Sequence, residues 1–232
     1  MQVNADINQR VVVDSNTLEW LPSPLAGVER RPLERFAAES GKATSIVRYA
    51  PGSSFRSHSH PAGEEILVLD GTFTDEFGEY PRGYWIKNPP GSQHAPASPD
   101  GCLLLVKLCY QQPDDQTVKR IDTRNAEFQP GLVPGLSVLP LDSFATVHTA
   151  LVRWAPGTQF KAHRHMGGEE ILVLEGVFQD EFGDYPAGTW LRNPHGSVHT
   201  PYSTEGCLIY VKVGHLIETP AADQSSTFLS TS

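Results

Sequence analysis

The stretch SHSHPAGEE, residues 57–65, sets two histidines and two carboxylates directly before the apolar run ILVL. Side chains two apart on a strand share a face, so His58 and His60 can reach one ion. A glutamate on the next strand supplies a third donor if PAG makes the turn between them. Because ILVL is apolar on both faces, alternation does not choose between Glu64 and Glu65. His94, closing the segment GYWIKNPPGSQH, is the fourth candidate, since the proline and glycine residues there rigidify a turn that can return its imidazole to the site. Three imidazoles and one carboxylate suit zinc, iron, manganese, nickel or copper, not calcium or magnesium, which prefer oxygen. Four such donors on an octahedral ion leave two positions open to substrate or dioxygen, whereas a tetrahedral zinc would be closed.

The same constellation occurs a second time, as AHRHMGGEE at residues 162–170, again followed by an apolar run. Gly52, His58, His60, Glu64, Gly71, Gly83, Pro89, Gly91, His94 and Cys102 recur 105 positions later as Gly157, His163, His165, Glu169, Gly176, Gly188, Pro194, Gly196, His199 and Cys207. The constant offset means that no residue is inserted or lost across the matched core. Repetition on this scale predicts two domains, residues 1–115 and 116–232, divided near the polar segment YQQPDDQTVKRIDTRN. Within each copy, apolar runs of strand length alternate with turn signals such as APGS, DEFGEYPRG and NPPGS, the pattern of an all-β sandwich or barrel with little helix. RVVVDSNTLEW reads as an extra strand, laid along one domain or a neighbouring subunit. The tail ETPAADQSSTFLSTS reads as disordered.

Composition removes several function classes. The net charge of -9 argues against nucleic-acid binding, which concentrates lysine and arginine on one surface. No apolar stretch approaches the ~20 residues of a membrane span, and MQVNADINQR lacks the basic-then-apolar order of a signal peptide. A cytoplasmic protein is expected. The three cysteines include no C-x2-C pair, which removes disulfide and thiolate-zinc frameworks. Cys102 and Cys207 read as small core residues.

These motifs resemble those of the cupin superfamily. G-x5-H-x-H-x3-E-x6-G is met by Gly52, His58, His60, Glu64 and Gly71, and again by Gly157, His163, His165, Glu169 and Gly176. G-x5-P-x-G-x2-H-x3-N is met by Gly83, Pro89, Gly91 and His94, and by Gly188, Pro194, Gly196 and His199, with Ser98 and Ser203 in place of the closing asparagine. The resemblance implies two tandem cupin barrels of the jelly-roll, double-stranded β-helix type. It also implies the metal ligands: His58, His60, Glu64 and His94 in one barrel, His163, His165, Glu169 and His199 in the other. A closer likeness, through GEEILVLxGxFxDEFGxYPxG, is to the cupin domain of the anti-sigma factor ChrR. Proteins of that type add a zinc-binding segment with a histidine and a C-x2-C pair. This chain shows neither, which argues against direct capture of a sigma factor.

Two functions follow from the likeness. One is a regulatory or small-molecule-sensing module with a divalent zinc, iron, manganese or nickel ion in each barrel. The other is a metal-dependent dioxygenase acting on a diketone or phenolic ketone. A small-molecule ligand and a homodimer are the expected partners. The DEFG loops read as solvated hairpins with their acids outward. Tyr84, Trp85, Thr189 and Trp190 are expected in the core or at a cavity wall. His148, His195 and His215, unmatched in the other copy, are expected at the surface or behind a ligand.

Overall fold

A strand that is apolar on both faces must be covered on both, and the ILVL runs are covered by two different bodies. The computed structural model describes residues 2–37 and 41–217; the tail 218–232 lies outside them. In the first half, strands Tyr84–Asn88, Glu64–Asp75, Cys102–Leu108, Ala43–Tyr49 and Val28–Arg35 form one antiparallel sheet in that spatial order. The far part of Glu64–Asp75 leaves this sheet to pair with Gly78–Pro81 and Ala97, building the opposite wall of a barrel. The crossing occurs at Gly71, whose φ of +68° and closeness to the Gly101 carbonyl, 2.2 Å from an added Cβ, admit only glycine. Residues 129–213 repeat the arrangement strand for strand. The chain is therefore all-β with two tandem barrels. Among the described residues its one helical element is the single 3-10 turn Ser15–Thr17, and no helix is long and apolar enough to cross a membrane.

Alternation now accounts for the doubly apolar runs. Ile66 and Val68 point into the first barrel with Phe73, Ile86 and Leu104, while Leu67 points outward into a core shared by both halves. That shared core contains Leu33, Ile46, Trp85 and Leu105 of the first half and Leu139, Leu151, Leu172, Trp190 and Tyr210 of the second. Trp85 and Trp190 are fully buried here, away from either barrel cavity. Cys102 and Cys207 are core residues, and burial pushes each thiol up to about 11.

The extra N-terminal strand lies along the second half. Val11–Asp14 pairs with Thr189–Asn193, in register Val11 to Arg192. Lys119–Asp122, which precedes the second barrel, pairs reciprocally with Tyr84–Asn88 of the first. Each large sheet thus ends on a strand supplied by the other half's leading segment. Charged residues on the outward faces are paired across the same seam: Lys107 with Glu170, Lys212 with Glu65, Lys87 with Asp142 and Arg192 with Glu34, every one buried or nearly so. Glu65, left open as a ligand by alternation, is accounted for here. His215 belongs to this seam as well, buried with its Nε2 3.1 Å from Glu170, and is not at the surface.

Candidate metal centres

Each site forms where two short strands cross the barrel mouth. His58–His60 pairs with Ser92–His94, placing His94 opposite His58; His163–Arg164 pairs with Val198–His199, placing His199 opposite His163. Alternation brings His58 and His60 to one face, with ring centroids 4.8 Å apart. In the first barrel the Nε2 atoms of His60 and His94 stand 3.0 Å apart, and Glu64 Oε2 lies 3.6 and 3.4 Å from them. In the second, Glu169 Oε2 lies 3.6 Å from the Nε2 atoms of both His165 and His199. The donor atoms of His163, His165, Glu169 and His199 all fall within 4.8 Å of one another; those of His58, His60 and His94 do so in the first barrel, with Glu64 beside two of them.

This donor set fits a divalent transition ion. With metal–nitrogen bonds of about 2.1 Å, neighbouring donors stand about 3.0 Å apart at right angles and about 3.4 Å apart in a tetrahedron, close to the separations found. The Nε2 atoms of His165 and His199 are buried without a hydrogen-bond partner, a costly state for a polar atom that a ligated ion would relieve. The opposite ring nitrogens are engaged: His58 Nδ1 faces the Arg56 carbonyl at 3.3 Å, and His163 Nδ1 the Lys161 carbonyl at 3.0 Å. His94 Nδ1 faces Asp75 at 3.3 Å and His199 Nδ1 faces Asp180 at 3.2 Å. A proton held on Nδ1 leaves the Nε2 lone pair directed at the site.

Electrostatics favour the neutral, ligating form where burial dominates. Burial lowers the His60 imidazole against the pull of Glu64, and burial with the neighbouring His199 lowers His165 to about 3. Burial also works against the charged form of His94, but the Asp75 bond and the Glu64 charge outweigh it and raise that group. Burial raises Glu169, with the His199 charge and the Asn193 hydrogen bond in opposition. Asn88 Nδ2 donates to Glu64 Oε2 at 3.0 Å and Asn193 Nδ2 to Glu169 Oε2 at 2.9 Å, orienting each carboxylate.

The structure thus brings His163, His165, Glu169 and His199 together in the second barrel and His58, His60 and His94 together in the first, with Glu64 beside His60 and His94. The DEFG loops are hairpins whose Glu76, Glu79, Glu181 and Asp184 are exposed as expected, but their leading aspartates differ from expectation. Asp75 and Asp180 do start hairpin turns, accepting from the Phe77 and Phe182 amides, but their side chains are fully buried and reach the histidines. Asn88 and Asn193 were not singled out from sequence, although each sits at a matched position of the repeat. Ser98 and Ser203 bond the Thr72 and Val177 carbonyls. His148 bonds Ser143, and His195 accepts from the Gly167 amide; neither joins a site.

The two sites differ in the space beside them. A cavity of about 970 Å³, walled by Val28, Val47, Tyr49, Phe55 and Leu104, ends on His58, His60 and Glu64. Its counterpart at His163, Glu169 and His199 holds about 150 Å³. Side-chain size differs at matched wall positions: Leu136 opposite Trp154 stands where the first barrel has Val28 opposite Tyr49.

The profile of the ChrR cupin-like domain matches residues 8–111 and again residues 116–217. The chain belongs to the ChrR cupin-like family. Solved structures agree on the fold of this ChrR-type cupin pair. A Nostoc punctiforme protein described as a candidate dioxygenase superposes with a TM-score of 0.75 at 18% identity, covering 92% of this chain and 85% of that one. Escherichia coli Ylba gives a TM-score of 0.69 at 15% identity, covering 91% and 93%. Lactobacillus farciminis oxalate decarboxylase gives 0.62 at 14% identity, covering 89% and 86%. No curated protein sequence matches the chain.

Proposed function

We propose that the protein is a metal-binding regulatory or sensing module whose first barrel presents a divalent ion to a small-molecule ligand, while the second holds its ion beside a pocket too small for one. The observation that carries this reading is the unequal space beside two matching donor sets, about 970 Å³ against about 150 Å³. Ligand pockets commonly run to roughly 300–1,000 Å³, so only the first chamber suits an organic molecule. Its walls are largely apolar and aromatic, with Tyr49 and Phe55 in edge contact at 5.1 Å and with Arg30, Arg35 and Arg56 among them, and its floor is ionic. A ligand with an apolar or aromatic body and an oxygen donor at one end fits that division. Three imidazoles and Glu64 would hold the ion and leave positions facing the chamber; a bound ion would supply a Lewis-acidic centre there.

The open, aromatic-walled chamber also favours a second reading, a dioxygenase acting on a diketone or phenolic ketone. The two part on one experiment. Protein purified without oxygen is analysed for metal, then screened by thermal shift and by oxygen uptake against phenolic ketones and diketones. Binding without oxygen consumption supports the sensing module; metal-dependent uptake supports the enzyme. Tyr49→Trp, which copies the second barrel's Trp154, should abolish ligand binding with metal content unchanged. Ligand binding that survives Tyr49→Trp but is lost with His163→Ala would place the functional chamber in the wrong barrel and refute the proposal.

A further inference from the structure

Behind each candidate metal centre lies an arginine that belongs to the other half of the chain. Arg10 immediately precedes the exchanged strand Val11–Asp14. Its Nε donates to Asn193 Oδ1 at 3.0 Å, and its Nη2 donates to Asp180 Oδ2 at 3.2 Å and to the Tyr185 hydroxyl at 2.6 Å. Asn193 in turn donates to Glu169, and Asp180 accepts from His199 Nδ1. One guanidinium therefore backs two of the four donor groups of the second site. Arg120, on the reciprocal strand, donates from Nη2 to Asn88 Oδ1 at 2.6 Å and from Nε to the Tyr80 hydroxyl at 3.2 Å. Asn88 donates to Glu64, and Tyr80 donates to Asp75, which holds His94.

The chemistry of an amide makes this contact directional. Either end of an asparagine side chain can face a neighbour, but with Oδ1 accepting from arginine the Nδ2 end must face the glutamate. A reversed amide would set oxygen against carboxylate oxygen and turn NH2 toward a guanidinium. The planar fork of arginine also reaches two acceptors at once, which a lysine ammonium on a single flexible stem does not reproduce.

We propose that Arg10 and Arg120 are positioning residues for the two metal centres, each acting on the barrel to which its own half of the chain does not belong. Metal affinity in either barrel then depends on docking of the other half. The inference rests on the metal-binding reading above.

The test uses the full chain in two backgrounds, His58→Ala/His60→Ala to report the second site alone and His163→Ala/His165→Ala to report the first. Each is titrated with cobalt(II) and followed by its visible absorption. Loss of a partner behind a ligand typically weakens binding about 10–100-fold. Arg10→Ala should do so for the second site, with an altered cobalt spectrum, and leave the first site unchanged; Arg120→Ala should do the reverse. Arg10→Lys serves if the alanine variant does not fold, and should retain the weakened binding. Equal weakening of both sites by either variant, or no weakening, would overturn the inference while leaving the metal reading standing. Absence of cobalt binding in both backgrounds would refute the metal reading and this inference with it.

Discussion

The pair Lys212–Glu65 gives the most direct measure of what joins the halves. Both side chains are about 3% exposed, and Glu65 also accepts from the Tyr210 hydroxyl at 3.3 Å, while Lys212 donates to Thr149 at 3.3 Å. Replacing Lys212 with Met leaves the Glu65 carboxylate in a water-poor seam with only the Tyr210 hydroxyl to answer it. Breaking one partner of such a pair costs about 3–5 kcal/mol. At roughly 2–4 °C per kcal/mol for a chain of this size, Tm should fall by about 6–20 °C. Glu65→Leu should cost a similar amount by stranding the ammonium. The double variant removes both charges and takes a partner from two hydroxyls, those of Tyr210 and Thr149, so it should return to within about 1–2 kcal/mol of the parent. The cycle is measured by urea unfolding at fixed metal loading, with near-ultraviolet and far-ultraviolet signals recorded together. Single variants that each cost under about 1 kcal/mol, or a double variant as damaged as the sum of the singles, would refute the argument that these charges are desolvated by the seam.

Three further outcomes are expected. His58→Ala/His60→Ala should remove half of the bound metal and leave the second site filled, as elemental analysis would show; loss of all metal would contradict independent sites. Gly71→Ala should lower stability by more than about 1 kcal/mol, because its Cβ would lie 2.2 Å from the Gly101 carbonyl at a φ of +68°; an unchanged urea midpoint would refute this. Burial lowers the His215 imidazole to about 4, so below its ordinary value near 6.5 the unfolded chain takes up a proton that the folded chain does not. Stability should therefore decline as pH falls from 6.5 toward 4, and the decline should be shallower in His215→Phe.

The repeat, the barrel class and the clustering of the histidine and glutamate side chains were legible because they rest on local order: a two-residue strand period, fixed glycines and a constant spacing. The choice of Glu64 over Glu65 needed family spacing, and the structure supplies its physical counterpart, since Glu65 faces the seam and pairs with Lys212. Arg10 and Arg120 carried no comparable signal. Arg10 meets Asn193 at a separation of 183 residues, and no periodicity in either segment announces a partner that distant. Asp75 and Asp180 misled for a different reason. One carboxylate oxygen of each does what a hairpin aspartate does, capping the turn, while the second faces a histidine. A single residue satisfying a local and a distant demand shows only the local one in its sequence context.

The reciprocal strands also bear on why two matching donor sets can diverge in chamber size without loss of either. Each large sheet ends on a strand from the opposite half, and four buried charge pairs cross the seam. Neither barrel is complete on its own, so a change that opened or closed one chamber still left a partner for the other to dock on. The residues that set chamber size, Val28 and Tyr49 against Leu136 and Trp154, line the barrel interiors. The residues that bind the halves lie on the opposite faces of the same sheets. Because successive strand residues point to opposite faces, inward substitutions could vary ligand access while the seam was preserved. Chains cut at residue 115 should test this division: each piece would lose one strand and the counter-charges of three buried groups, and should recover a native fold only when the two are mixed. A piece that folds and binds metal alone would show that the seam is dispensable and that this account of the paired architecture is wrong.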